Sequence, residues 1–257
     1  MNNRLRLLLG CCFVLAMRLP LVAGDIYSSV MEEFSRYDNR LVGSSAYEAC
    51  VSHLETTLRE AGLEPHRQTF DTLVPDTREC RLVVDGNDIG PIYALGPNGA
   101  ANNTTGGDVL RGPLVWLGQG TLAEMQHKPV EGAIAVLRFD SPNMMQVFSQ
   151  GALGVVFVGD GSETQWQVRN HFLELDAALP RVFVHEAVAK ASGLMTWTPG
   201  RDAELQVTTV WKDVEAVNLW VEIPGEAASE ADGGEAVILS ATLDTFGTVP
   251  ELSPSLR

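Results

Sequence analysis

The sequence predicts an α/β domain split in two by an inserted β-rich domain. Three observations predict it. Residues 25–64 carry apolar side chains at helical spacing. From about Leu73 to Trp211 the texture becomes short β-like runs broken by glycine and proline. After Trp211 a longer alternating stretch and a buried-type apolar run follow, as in the strands of an α/β sheet. The implied boundaries are a leader at 1–24, α/β residues at 25–71, the insertion at 72–211, and the start of the α/β sheet at 212–257.

In the first segment Ile26, Val30, Met31 and Phe34 share one helical face, and Gly43 breaks the helix. Ser45-Ala-Tyr-Glu48 supplies a capping box for the next helix. Tyr47, Cys50, Val51, Leu54, Leu58 and Ala61 form its apolar stripe, and Gly62 closes it. His53 lies beside the stripe without a second ligand at i+4, which reads as a partly buried structural histidine. Pro65–Phe70 reads as a strand leading outward.

The insertion contains β-like runs at Cys80–Val84, Pro91–Leu95, Pro113–Leu117, Ala133–Phe139, Gly154–Val158 and Arg181–Val184. Turn signals such as Asp85-Gly86 and Gly106-Gly107 separate them. One helix starts at Ser141-Pro142, with serine as cap and proline at the first helical position. Another follows His185 through Ala187, Ala189 and Ala191 to Gly193. Trp166, Trp197 and Trp211 are expected to pack in or under this domain. His127, His171 and His185 are isolated from one another and read as surface or capping residues.

In the last segment Val217–Ile223 alternates like a strand and ends at Pro224-Gly225. Ala236 to Leu239 then reads as a buried, central strand whose carboxyl end delivers Thr242 and Asp244 into a loop. Open α/β sheets bind ligands beyond the carboxyl ends of their strands, so Asp244 is a site candidate. As a strand-end carboxylate it could equally cap neighbouring backbone amides.

Composition narrows the classes. With 45% hydrophobic and 20% charged residues, the 257-residue chain has the balance of a globular protein. Its net charge of −15 repels phosphate backbones and argues against nucleic-acid binding. Arg4 and Arg6, an apolar segment from Leu7 to Met17, and Val22-Ala23-Gly24 together form an export signal. The apolar segment is too short to span a bilayer. Leu8-Leu9-Gly10-Cys11 resembles a lipobox, which would anchor the protein through Cys11. Cys50 and Cys80 remain after export as either one disulfide or two separate thiols. Asn102 and Asn103 begin sequons that matter only in a glycosylating host.

Arg40-Leu-Val-Gly-Ser-Ser-Ala-Tyr47, Val217-Asn-Leu-Trp-Val-Glu-Ile-Pro-Gly225 and Val237-Ile-Leu-Ser-Ala-Thr-Leu-Asp-Thr245 resemble co-catalytic zinc exopeptidases. These are the secreted aminopeptidases related to glutamate carboxypeptidase and the transferrin receptor. The insertion is similar to their protease-associated domain at Val130–Arg138, Gln150–Phe157 and Leu179–Val184. The resemblance implies an incomplete zinc-peptidase-type sheet. In that family the strand matching Val237–Leu239 ends in His-x-Asp, the histidine binding zinc and the aspartate orienting a ligand beside it. Thr242 occupies the histidine position, and Asp244 matches the aspartate. A neutral threonine hydroxyl is a poor zinc donor. The other ligands would lie beyond Arg257, so the chain reads as the N-terminal part of a longer protein and zinc is expected only if that protein keeps them. Three readings stay open: an exported zinc exopeptidase, a non-catalytic relative that binds peptides or a protein partner, and a β-rich module with neither role. A membrane would enter only through the lipobox or through residues outside this chain.

Overall fold

The computed structural model describes residues 26–37, 40–97, 100–159, 177–223 and 237–244. The segment expected to be an export signal, Trp166, His171 and the acidic stretch Glu226–Glu235 lie outside these residues. The chain forms two compact units. One contains the described residues up to Thr72 and from Val214 onward, and the other is built on Leu73–Asp213.

The first unit begins with helix α1, residues 26–34, and helix α2, Ser45–Glu60. The cap of α2 differs from the predicted box by one residue. Ser44 is the N-cap, and its side chain accepts a hydrogen bond from the Tyr47 amide. Gly43 takes φ +82 just before it, so the chain turns one residue earlier than the Ser45–Glu48 spacing suggests. At the other end the Gly62 amide bonds to the Arg59 carbonyl and the Leu63 amide to the Leu58 carbonyl, a Schellman closure. Tyr47, Cys50 and Val51 are buried, as the stripe predicts.

Strand β1 runs His66–Val84 and strand β8 runs Asp202–Trp220. Both pass through the boundaries between the units without interruption. The sequence reading placed a change of texture at Leu73 and at Trp211, yet neither point breaks a strand. Pro75 lies outside the β1–β2 ladder, which covers only Leu82–Val84 of β1.

The second unit is an eight-stranded mixed sheet in the order β2-β1-β8-β4-β5-β6-β7-β3. Its remaining strands are β2 (Asn87–Ile89), β3 (Ile92–Ala94), β4 (Leu110–Gly118), β5 (Ile134–Arg138), β6 (Gly154–Gly159) and β7 (Arg181–His185). Strands β4 to β7 are parallel neighbours, with β8 antiparallel to β4 and β3 antiparallel to β7. The central strands are buried on both faces, which explains their unbroken apolar runs. One face carries Val115, Ala135, Leu137, Val155 and Phe157, packed with Met125, Met144 and Val147. The other carries Ile134, Val136, Val156, Val182 and Leu205, packed with Ala189 and Leu194.

Three short helices supply those covers: α3 (Leu122–Met125), α4 (Met144–Ser149) and α5 (Glu186–Ala191). Helix α4 starts at Met144 rather than at Pro142, because the Ser141 hydroxyl binds the Asn143 amide and the Gln119 carbonyl and closes a turn there. Helix α3 escaped the sequence reading, although Thr121 and Glu124 form a complete capping box.

Candidate functional site

The last apolar run, expected to end in a candidate corner at Thr242 and Asp244, is not a strand. Residues 237–244 have no regular secondary structure, and Val237, Ile238 and Leu239 are 87%, 87% and 93% exposed. The expectation of a buried central strand is therefore corrected. An apolar run becomes a strand only where neighbours supply ladder partners and cover its faces, and among the described residues none pairs with it. Thr242 and Asp244 are exposed, with half-buried Leu243 between them.

Leu243 is the point of attachment. It packs with Val42 against a buried cluster of Tyr47, Val51 and Val217. Arg40 Nε donates to the Leu243 carbonyl at 3.4 Å, and the Arg40 guanidinium lies 4.5 Å from the centre of the Phe34 ring. The Tyr47 hydroxyl donates to the Val217 carbonyl at 3.0 Å and accepts from the Val217 amide at 2.9 Å. One phenol thus satisfies both backbone groups of a residue in β8. Burial pushes the Tyr47 hydroxyl above its ordinary pKa; the bond to Val217 opposes this, and the charges of Asp244 and Glu48 add to it.

The stretch Arg40–Tyr47 reads in the sequence as a helix entry, and the structure gives its residues a second task. Gly43 has no room for a side chain, since an added Cβ would lie 2.5 Å from Val214 Cγ1. Arg40, Val42, Gly43 and Tyr47 together hold β8 and the Leu243–Asp244 segment. Their clustering could not be read from spacing, because Tyr47 and Val217 are 170 residues apart.

A zinc corner needs imidazole, thiolate or carboxylate donors that converge. Residues 237–244 offer one exposed carboxylate, Asp244, and the neutral hydroxyls of Ser240 and Thr242. Among the described residues no three His, Cys, Asp or Glu side chains form a group able to hold a metal ion. The residues present here do not fit zinc.

The other candidates resolve as follows. His53 sits half-buried on α2, and its Nε2 has no hydrogen-bond partner among the described residues. His127 is exposed on a turn at φ 64. His185 precedes α5 with its ring against Phe183 and Tyr93. Trp197 packs against the first face of the sheet, 5.8 Å from Lys128 Nζ. Trp211 Nε1 donates to the Ala100 carbonyl at 2.9 Å. Cys50 and Cys80 are separate free thiols, one in each unit.

No family model matches the chain, and no curated protein sequence does. Solved structures do. A structure of BSAP, a zinc aminopeptidase from Bacillus subtilis, superposes with a TM-score of 0.55 at 18% identity, over 79% of this chain and 47% of that one. A second structure of the same enzyme gives 0.53 at 18% identity, over 76% and 45%. An aminopeptidase from Aneurinibacillus sp. strain AM-1 aligns at 0.48 and 17% identity, over 79% and 48%, too loosely to argue from. The chain spans less than half the length of these proteins. It has the mixed α/β fold of the matching part of a zinc aminopeptidase.

Proposed function

We propose that this chain is the N-terminal portion of an exported zinc aminopeptidase-like protein. Its β-rich unit acts as a protease-associated domain that contributes to binding a peptide or protein substrate or partner. The observation that carries the reading is the fold likeness to BSAP over 76–79% of the chain. Such a stretch exceeds either compact unit taken alone, which supports an insertion within a peptidase-like framework. The net charge of −15 keeps nucleic acid out of the set of partners. This chain alone is not expected to be catalytic, because activation of water at a metal requires a donor set that, among the described residues, Thr242 and Asp244 do not supply.

A second reading is favoured by Thr242: a non-catalytic homologue that uses the same scaffold for peptide or protein binding. Both readings share export, with the mature chain starting at Asp25. The test is the product of the complete gene in its own host, examined by N-terminal sequencing and by fluorescence anisotropy with a mixed-sequence labelled peptide pool. An N-terminus at Asp25 and saturable peptide binding are expected. A retained Met1 together with no peptide binding overturns the proposal. Hydrolysis of aminoacyl anilides by that complete product selects the first reading, and its absence selects the second.

A further inference from the structure

The corner where Thr242 and Asp244 lie is held in place by contacts that involve no metal. Leu243 is packed into the Tyr47–Val51–Val217 cluster, and its carbonyl takes the Arg40 Nε–H. Tyr47 is itself pinned by two hydrogen bonds to Val217. Neither histidine of this unit belongs, among the described residues, to a group of three side chains able to hold a metal ion. His66 stacks on Trp220 at 4.3 Å, and His53 has its Nε2 buried on α2. Zinc at this corner would be left with the exposed Asp244 carboxylate and water. A single solvated carboxylate does not compete with hydration for a divalent ion.

We propose that the Thr242–Asp244 corner is fixed by a clamp of Arg40, Tyr47 and Leu243 in place of a metal, so that it takes no zinc and keeps its position without one. This rests on the peptidase-like reading of the first unit, which is what makes zinc the ion to test. The clamp separates two properties that a metal site couples, the placement of the Thr242–Asp244 segment and the supply of reactive charge. Threonine at 242 then carries no penalty for folding, because nothing at this corner depends on a ligand there. A longer product could still hold metal through residues outside this chain, with this corner contributing shape alone.

The test is a calorimetric titration of the full chain with zinc at neutral pH, paired with its Tm in zinc and in EDTA. No saturable heat and an unchanged Tm are expected. Arg40→Ala is expected to lower the Tm equally in zinc and in EDTA. One zinc per chain that is lost on Asp244→Asn overturns the proposal. Zinc that survives Asp244→Asn lies elsewhere and leaves the corner zinc-free, as proposed. Should the peptidase-like reading itself fail, peptide binding is absent while these zinc results stand, so the two failures are distinguishable.

Discussion

Tyr47→Phe removes one oxygen atom and is expected to loosen the first unit out of proportion to its size. That oxygen serves both the amide and the carbonyl of Val217, a residue only 5% exposed. Leaving a buried backbone group unpaired costs about 1–3 kcal/mol, so two together are worth roughly 2–6 kcal/mol. The phenylalanine ring preserves the contacts with Val51 and Leu243, so the loss isolates the hydrogen bonds. Native-state hydrogen exchange at the Val217 amide reads the effect locally. A penalty of about 2 kcal/mol corresponds to exchange about 30-fold faster. Tyr37→Phe is the control, since that hydroxyl binds the Glu33 carboxylate and no backbone group. Exchange at Val217 that changes less than about threefold, where a tenfold change is worth about 1.4 kcal/mol, would show that the phenol does not hold β8.

Other substitutions probe the same framework. Gly43→Ala combines a left-handed backbone at φ +82 with a Cβ 2.5 Å from Val214, and is expected to lower unfolding free energy by about 1–3 kcal/mol. Adding Val214→Ala should recover only the steric part; full recovery would show that the backbone is unstrained. Asn103 is fully buried, its amide donating to the Leu95 and Arg181 carbonyls while its oxygen accepts from the Arg181 amide. Asn103→Ala should therefore cost about 2–4 kcal/mol in urea unfolding, and a glycan found on Asn103 of the folded protein would contradict this packing. Burial pushes the Cys80 thiol up to about 12 and raises Cys50 as well. Neither should react with iodoacetamide at pH 8 until denaturant is added, because the thiolate is the nucleophile. The folded state keeps Cys80 protonated, so its stabilising effect is complete below the ordinary thiol pKa of 9.0 and is lost as pH rises toward 12. Cys80→Ala should flatten the alkaline side of the stability curve, and an unchanged slope would refute the assignment.

Local patterns carried most of the fold. The six short β-like runs all became strands, because each central strand is buried on both faces and writes a continuous apolar run. Helix α2 declared itself through its stripe and Gly62. The misses have definite causes. Strand β8 begins at Asp202, where Ala203, Leu205 and Val207 alternate with Glu204, Gln206 and Thr208, a period-two signal that the reading passed over. Helix α3 has one turn, too short for any apolar periodicity, so only Thr121 and Glu124 announced it. The Val237–Leu239 run shows the opposite error. Composition states what a segment could bury, while the partners that let it do so are a property of the tertiary structure.

The sequence singled out Thr242 and Asp244 as candidates but could not show how their segment is held. The order of motifs put Thr242 and Asp244 at a strand end, and the substitution at 242 spoke against a zinc ligand before any geometry was known. Tyr47 and Arg40, which hold that end, lie about 200 residues upstream, and Arg40 meets Leu243 only in the folded unit. No local pattern links a phenol at a helix start to a backbone amide in a distant strand.

Hydrolysis by this chain itself bears most directly on the proposal of a peptidase-like fold without peptidase chemistry. Residues 25–257, supplied with zinc and an aminoacyl anilide at neutral pH, should release product no faster than the buffer blank. Turnover above that blank, abolished by EDTA and by Asp244→Asn, would place a working metal centre at this corner and contradict the proposal of a fold without that chemistry.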